Sequence, residues 1–298
     1  MVSNHADAEP PVLRDLHTHS SASDGTLSPA ALVDAAAARG ITLLALTDHD
    51  TVAGLGEAAA AAAAHPLTLV PGVEVSVTWQ GRQLHVLGLG VEPGCRMLLH
   101  GLEGHRVMRE RRAEAIAGKL ERQGIAGVGA QARALTGKGM VTRTHFARVL
   151  LDRGAVGSMD EAFKRFLGRG KQAWVGVQWA ALDEVIGWIR SAGGVAVLAH
   201  PLRYRMTGAW MRRLLLAFRE AGGLGIEVVA GQTCPSEIKL LTGYALRYGL
   251  LGSVGSDYHG PENPWSSFGK PMLLPPRVEP VWTGWETAGA ALPRGEDS

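Results

Sequence analysis

The chain has 298 residues, of which 46% are hydrophobic, and its formal net charge at pH 7 is only +2. This composition can bury a sizeable core, and the near-neutral charge argues against a nucleic-acid-coating protein or an acidic tail. Two cysteines, Cys95 and Cys234, exclude a disulfide framework, so a reducing, cytoplasmic compartment is expected. No apolar run approaches the ~18 residues of a membrane span. The polar, acidic residues 1–11 do not resemble a signal peptide.

Short β-rich runs alternate with helical patterns along the chain. The predicted strands are residues 12–16, 41–46, 67–77, 83–89, 194–199, 226–229 and 251–254. One helix is predicted from Ser28-Pro29 to Gly40, and others at 54–64, 208–221 and 235–248, while Gln80-Gly81 predicts a hairpin turn. Such alternation indicates parallel strands joined by helices. About seven strands with polar residues at their ends predict an α/β barrel rather than an open sheet.

Residues 100–178 interrupt this alternation, because they contain helical patterns and no convincing strand. Helices are predicted at 102–123, 144–153 and 160–167. We therefore predict a helical insertion domain (100–178) between two parts of the barrel, residues 1–99 and residues 179–298. The second part ends in a tail, from residue 261, that is expected to pack on the barrel. The insertion has 15 basic and 7 acidic residues, a net charge of +8, whereas the remaining 15 basic and 21 acidic residues give −6.

The strongest chemical signal is a pair of histidines, His17 and His19, directly after the first strand, with Asp24 five residues later. In an extended segment, residues i and i+2 point the same way. Two imidazoles can therefore bind one metal ion, for which neutral histidine is a common ligand.

Similar residue types accompany five other strands. Together they give nine candidate metal ligands: His17, His19, Asp24, His49, Glu74, His85, His200, Asp257 and His259. A barrel gathers its strand ends at one face, so these residues are expected to meet there. Nine donors suit two or three ions bridged by a carboxylate and a water. His200, which precedes a proline, could instead contact the substrate. Asp48 and Asp50 are expected to orient ligands rather than to bind metal.

In combination these motifs resemble those of the PHP (polymerase and histidinol phosphatase) superfamily. The motifs are His17-Thr18-His19-Ser20-x-x-Ser23-Asp24-Gly25, Thr47-Asp48-His49-Asp50, Pro71-Gly72-Val73-Glu74, His85, Ala199-His200-Pro201 and Gly255-Ser256-Asp257-x-His259. The resemblance implies a distorted seven-stranded β/α barrel with a trinuclear centre of Mn, Fe or Zn type. Within the superfamily the chain looks most like the 3′,5′-nucleoside bisphosphate phosphatases, the group that includes RNase AM and TrpH-like proteins. The segment 72–79, and Thr142-Arg143-x-His145-Phe146-Ala147-Arg148 and Phe166-Leu167-Gly168-x-Gly170-Lys171 within the insertion, favour this group.

The resemblance also implies how the ligands divide among three ions. The first ion takes His17, His19, Glu74 and Asp257; the second shares Glu74 and adds His85 and His200; the third takes Asp24, His49 and His259. Histidinol phosphatases of the superfamily often have histidine at the position of Asp24. The aspartate favours a harder ion. We expect two or three divalent ions, Mn²⁺ first, with Fe²⁺ or Zn²⁺ as alternatives.

Phosphate ester hydrolysis is the reaction that such a centre suits. Adjacent ions lower the pKa of water from ~15.7 toward ~7 and neutralise the charge that develops on the phosphate. Asp257 is expected to orient the attacking water or to accept its proton. His200 and a water molecule are alternative proton donors for the leaving group.

The basic insertion predicts a second anion site, because arginine binds phosphate in a bidentate manner. The candidate substrate contacts are Arg106, Arg109, Arg143, His145, Lys171 and Arg203, together with Asp24 and His49, which also count as ligands. Each basic residue could instead belong to a solvated helix surface. The aromatic residues Phe146, Phe163, Phe166 and Trp174 could stack on a base, or they could be helix core.

The function we expect is removal of the 3′-phosphate from 3′,5′-bisphosphonucleotides such as pAp, with trimming of short RNA from its 5′ end at the same site. The first alternative is histidinol phosphate phosphatase, although its substrate amine should require acidic groups. A non-catalytic, metal-dependent nucleic-acid-binding module is the second, and amidohydrolase-type C–N hydrolysis is the third. The sequence does not determine the oligomeric state.

Overall fold

A computed structural model describes residues 12–137, 139–262, 267–283 and 285. Seven strands follow one another in a single sheet in chain order. They are β1 (Leu13–Thr18), β2 (Ile41–Leu46), β3 (Thr68–Trp79), β4 (Arg82–Leu89), β5 (Val195–Leu198), β6 (Gly225–Ala230) and β7 (Leu251–Gly255). Neighbouring strands are parallel, except that β4 runs antiparallel to both β3 and β5.

The sheet curls until β7 meets β1. The amide of Asp257 donates to the carbonyl of His17 and the amide of His19 donates to the carbonyl of Tyr258, each at 2.9 Å. Thr18 and Tyr258 also form a parallel bridge. These contacts make a nearly closed seven-stranded barrel surrounded by helices, so the predicted α/β barrel is confirmed.

The helices begin and end where the sequence provides caps. Before α1, the Ser28 hydroxyl accepts from the Ala31 amide at 3.2 Å and Pro29 occupies the first helical position; Gly40 follows the helix with φ +74°. The nine helices of the described part are α1 (Pro29–Ala37), α2 (Leu55–Ala62), α3 (Arg96–Glu121), α4 (Val128–Thr136), α5 (Arg143–Asp152), α6 (Met159–Ala162), α7 (Leu182–Ser191), α8 (Gly208–Glu220) and α9 (Pro235–Tyr248). A π-helical turn spans Phe163–Leu167, and a 3₁₀ turn spans Pro201–Tyr204.

Gln80 and Gly81 both have positive φ, +46° and +72°, and connect β3 to β4. Two consecutive residues with positive φ are the geometry that a tight two-residue hairpin requires. The predicted hairpin turn therefore forms where the sequence indicates it.

The helices α3 to α6 have a hydrophobic core of their own, separate from that of the barrel. Helix α3 belongs to both cores: Leu98 and Leu102 pack in the barrel core, and Ile116 and Leu120 pack in the second one. At ~1.5 Å per residue this 26-residue helix is about 39 Å long, enough to connect the two cores. It begins at Arg96, before the insertion boundary predicted at residue 100. The division into 1–99, 100–178 and 179–298 remains a prediction.

The C-terminal tail packs on the barrel over the residues that are described. Trp282 and Trp285 are buried in the barrel core, and Pro280 bridges to Gly252 of β7. The predictions made for residues 1–11, and for the tail at 263–266, 284 and 286–298, lie outside the described residues. Over the described ranges, no helix combines the length and the apolar character that crossing a bilayer would require.

Candidate metal centre

Strand β1 brings His17 and His19 to the carboxyl end of the barrel, and both imidazoles are fully buried. His17 Nδ1 donates to Glu227 Oε1 on β6 at 3.0 Å, which leaves Nε2 directed at Glu74 and Asp257. His19 Nε2 faces the same two carboxylates, at 3.4 Å and 3.2 Å. The two side chains therefore face the same carboxylates, as their i, i+2 spacing predicts.

Glu74 and His85 lie inside strands, as the predicted strands 67–77 and 83–89 imply. The barrel part of β3 pairs with β2 only as far as Pro71, and Glu74 lies on its extension into the hairpin. His85 is in the first half of β4. Because β4 is antiparallel, its first half lies at the same face as the carboxyl ends of the parallel strands. His85 Nδ1 lies 2.9 Å from Glu74 Oε1.

Asp24, His49 and His259 come from the loops after β1, β2 and β7. Asp24 Oδ1 lies 3.4 Å from His259 Nε2 and 3.8 Å from His49 Nε2. Its other oxygen, Oδ2, accepts from Thr144 Oγ1 at 2.9 Å, at the start of α5. The insertion therefore helps to fix a carboxylate of the barrel.

All nine predicted ligands converge, and three groups of them have donor atoms within 4.8 Å of one another. The groups are His17, His19, Glu74 and Asp257; His19, Asp24, His49 and His259; and His49, Glu74 and His85. The first matches the set that the family resemblance implies for one ion. The second group adds His19 to an implied set, and the third has His49 in place of His200. His200 Nε2 lies 3.0 Å from Glu74 Oε1, beside the third group.

The buried polar atoms of these nine residues fit a bound metal. Eight of these atoms have no hydrogen-bond partner: His17 Nε2, His19 Nδ1 and Nε2, Asp24 Oδ1, His49 Nδ1, Glu74 Oε2, His85 Nδ1 and His200 Nδ1. Leaving buried polar atoms unpaired costs ~1–3 kcal/mol each. Ligands ~2.1 Å from one ion lie about 3–3.5 Å apart, and the four imidazole–carboxylate distances in the first group are 3.2–3.4 Å.

The electrostatics of the cluster favour charged carboxylates. Burial by itself raises the pKa of Glu74, but the positive charges of His85, His49 and His17 lower it well below its ordinary value. The pKa values of Asp24 and Asp257 are likewise lowered, against the effect of burial, by neighbouring imidazoles. The three carboxylates are therefore charged at neutral pH, which is the form that binds a metal ion.

The pKa values of two neighbouring imidazoles, His259 and His19, are shifted in opposite directions. Burial lowers the pKa of His259, but Asp24 and Asp257 raise it to about 9. Burial and the positive charge of His259 lower the pKa of His19 to about 3. A neutral imidazole is the form that binds a metal.

Asp48 and Asp50 hold the surrounding loops, as expected from the sequence. Asp48 accepts from the amide of Ser20 at 2.8 Å and from the hydroxyls of Ser20 and Ser23, each at 2.6 Å. Asp50 accepts from Arg109 Nε at 2.7 Å and from the amide of Ser76 at 2.7 Å. Neither is in a metal-binding group among the described residues.

A cavity of about 670 Å³, here called the insert-side cavity, opens from the cluster toward the insertion. Of the predicted substrate contacts, Asp24, His49, Arg143 and Arg203 line it, and Trp174 forms part of its wall. The guanidinium carbon of Arg143 lies 5.3 Å from the centre of the Trp174 ring. Burial and the charge of Arg109 lower the Arg143 pKa to about 10.

Four other predicted contacts lie elsewhere. Arg106 is exposed and pairs with Glu103 and Glu110 on its own helix, and Lys171 is exposed beside a separate pocket that Lys164 and Arg165 also line. Arg109 is buried in an ion pair with Asp50. These three basic side chains do not line the insert-side cavity.

His145 caps the start of α5 and does not line the insert-side cavity. Its Nδ1 accepts from the Thr142 amide at 3.0 Å, and burial lowers its pKa to about 4. The imidazole is therefore neutral near pH 7, and its acceptor nitrogen serves the start of α5. The aromatic candidates Phe146, Phe163 and Phe166 belong to or pack against the core of the insertion.

Sequence reasoning missed two residues of the site. Glu227 accepts from His17 Nδ1 and also from the amide of His200 at 2.5 Å. The sequence feature that could have identified it is a single acidic residue within an apolar strand. Arg112 packs on the Trp174 ring, 5.4 Å from its centre, with Nε and Nη2 unpaired. Burial and the charge of Arg143 lower the Arg112 pKa to about 9. The pattern of α3 gave no sign that Arg112, rather than Arg109, would face this ring.

Similarity to known proteins agrees with this geometry. A barrel with clustered histidines and carboxylates at its carboxyl face is the arrangement of a metal-dependent hydrolase. The PHP domain model matches residues 15–174, and the chain belongs to the PHP family.

Two curated relatives match most of the chain. The 3′,5′-nucleoside bisphosphate phosphatase of Chromobacterium violaceum is 46% identical over 270 residues, covering 90% of this chain and 94% of its own length. A 5′-3′ exoribonuclease of Haemophilus influenzae is 45% identical over 269 residues, covering 90% of this chain and 97% of its own.

Two solved structures share the fold. An amidohydrolase from Chromobacterium violaceum, with bound sulfate and no metal, superimposes with a TM-score of 0.88 at 45% identity, over 92% of this chain and 95% of the other. A protein from Bifidobacterium adolescentis, described as a metal-dependent phosphoesterase, gives a TM-score of 0.78 at 28% identity, over 92% and 94%. The predicted family and enzyme class are confirmed.

Proposed function

We propose that this protein removes the 3′-phosphate from nucleoside 3′,5′-bisphosphates such as pAp, leaving the 5′-monophosphate, and that it also trims 5′-phosphorylated RNA. The observation that carries the proposal is an arginine in the cavity beside the metal centre that could hold a second anion. Arg143 lines the insert-side cavity and makes no ion pair among the described residues, and the buried Arg112 packs on the same Trp174 ring with two unpaired nitrogens. The names of the two curated relatives support both substrates.

The nine convergent side chains would hold two or three divalent ions, with Mn²⁺ proposed because the donors are imidazoles and carboxylates without a thiolate. When bound, such ions supply an acidic water and neutralise phosphate charge. Asp24, Glu74 and Asp257 carry the negative charge that retains them. Glu227 and Asp48 fix the orientation of residues around them.

Each substrate phosphate would meet different residues of this chain. The 3′-phosphate lies at the cluster, where Arg203, paired with Asp257, adds a positive charge at its edge. The 5′-phosphate lies at Arg143, and the Trp174 ring offers a face to the nucleoside.

Proton transfer would involve two side chains at the cluster. Asp257 orients the attacking water or accepts its proton. His200, 8% exposed at the cavity wall, is a candidate to protonate the departing 3′ oxygen. We place this chemistry in the cytoplasm, because Cys95 and Cys234 are both free thiols.

The test is a substrate panel with purified protein and Mn²⁺: pAp, histidinol phosphate, p-nitrophenyl phosphate and a short 5′-phosphorylated RNA. The highest kcat/KM is expected for pAp or the RNA, with 5′-AMP as a product of pAp. Preference for histidinol phosphate would reject the nucleotide proposal. Hydrolysis of all monoesters at equal kcat/KM would reject the second phosphate site.

A further inference from the structure

We propose that a second cavity, on the α9 side of the metal centre, binds the nucleotide that follows the cleaved bond when the substrate is RNA. This inference rests on the proposed function and assigns a binding site within it. The cavity, here called the α9-side cavity, has a volume of about 510 Å³. That volume falls in the range of ~300–1,000 Å³ in which small-molecule sites are found.

The two cavities meet at the metal centre. His200, Arg203, Asp257 and His259 line both the insert-side cavity and the α9-side cavity. Three of the four are candidate metal ligands. A phosphorus atom held at the cluster therefore has open space in two directions, toward the insertion and toward α9.

The chemistry of a diester requires this second space. In 5′-phosphorylated RNA, the first nucleoside and its 5′-phosphate would occupy the insert-side cavity, as pAp does. Water adds its oxygen to phosphorus, the P–O3′ bond of the first nucleotide breaks, and a proton from the water ends on that 3′ oxygen. The bond from phosphorus to the 5′ oxygen of the second nucleotide remains. The second nucleotide thus leaves the cluster in a direction that pAp never uses.

The walls of the α9-side cavity suit a nucleotide. Pro201, Leu202 and Leu241 offer apolar surface to a base, whereas Thr233 and Ser256 add polar character to the wall. Arg203, whose side chain is 54% exposed, supplies a positive charge at the entrance from the cluster. Gly231 leaves this charge accessible, since a Cβ there would lie 3.3 Å from Arg203 Nη2.

Filling the α9-side cavity should lower the hydrolysis of RNA but not that of pAp. Gln232 is an exposed wall residue outside the cluster, so Gln232→Trp can occupy the space without disturbing the ligands. We expect kcat/KM for pApA and for a 5′-phosphorylated hexaribonucleotide to fall by about tenfold or more, equal to ~1.4 kcal/mol. We expect kcat/KM for pAp to stay within about twofold, because pAp has no second nucleotide. Gln232→Ala is the matched control, and both substrates should retain near wild-type values.

The pAp assay reports on the proposed function, and the ratio of RNA to pAp activity reports on the cavity. An unchanged ratio of RNA to pAp activity in Gln232→Trp overturns the inference. This holds if both activities persist, and also if both fall while the unfolding midpoint stays that of wild type. Wild-type protein that hydrolyses pAp but no RNA also overturns it, while the phosphatase proposal stands. Failure of wild-type protein on pAp rejects the proposed function itself.

Discussion

Glu227 on β6 accepts a hydrogen bond from Nδ1 of His17 on β1 at 3.0 Å, and both side chains are fully buried. The second oxygen of Glu227 accepts from the amide of His200. One carboxylate therefore fixes the ring of one candidate ligand and the backbone of another. Such partners orient metal-binding imidazoles and raise their basicity.

Removing this charge should weaken metal binding without removing a ligand. We expect Glu227→Gln to lower the Mn²⁺ affinity by about 10–100-fold. Mn²⁺ titration of chelator-treated protein, followed by phosphate release from pAp, measures the effect. Glu220→Gln, at an exposed position on α8, is the matched control and should behave as wild type. Equal Mn²⁺ affinity in the two variants would contradict a positioning role for Glu227.

Loss of a central ligand should be more severe. His17→Ala and Asp257→Asn each remove a donor from the four-residue group, so turnover of pAp should fall by about 10²-fold or more. His65→Ala, at a histidine that pairs with Asp34 outside the cluster, should retain full turnover. Circular dichroism should show that all three variants keep the fold. Near wild-type turnover in either cluster variant would mean that the site is misplaced.

The two phosphate sites can be separated by comparing substrates. Arg143→Ala should raise KM for pAp by about tenfold or more, since charged hydrogen bonds contribute ~1.5–3 kcal/mol, and should leave p-nitrophenyl phosphate almost unchanged. Arg106→Ala is the control, because Arg106 pairs with Glu103 and Glu110 at the surface. Equal losses on both substrates in Arg143→Ala would reject a selective contact with the second phosphate.

The buried ion pair of Asp50 with Arg109 should stabilise the link between the barrel and α3. Removing one partner of a buried pair costs ~3–5 kcal/mol, so Asp50→Asn and Arg109→Met should each lower the free energy of unfolding by about this amount. The double variant should lose less than the sum. Urea titration measures all three, and Arg106→Met, which breaks only surface pairs, should leave the free energy of unfolding nearly unchanged.

The same pair predicts how stability depends on pH. Burial by itself raises the pKa of Asp50, but Arg109 and His105 lower it below its ordinary value. The folded state therefore favours the carboxylate, and this stabilisation is present above the unfolded pKa of ~3.9. The difference in unfolding free energy between wild type and Asp50→Asn should be largest near neutral pH and should shrink below about pH 4. A difference that grows on acidification would contradict this assignment.

Short motifs predicted the barrel and its ligand candidates because their information is local. His17 and His19 share a face through their spacing, and the residues after β2 and β7 reach the same edge through topology. The insertion was harder to interpret, because α3 is charged on several sides. Arg106, Arg109 and Arg112 are spaced three residues apart on α3. Arg106 nevertheless faces solvent, Arg109 pairs with Asp50, and Arg112 packs on Trp174. Only the packing of α3 between two cores decides which arginine faces Trp174.

The central claim is that clustered divalent ions enable this protein to hydrolyse pAp. The most direct measurement is the initial rate of phosphate release from pAp by metal-free protein titrated with Mn²⁺, with bound metal counted at each point. We predict a rate near background without metal, which rises and saturates once the cluster holds two or three ions per chain. Full activity in metal-free protein, or Mn²⁺ bound at the cluster without any gain in rate, would contradict the account.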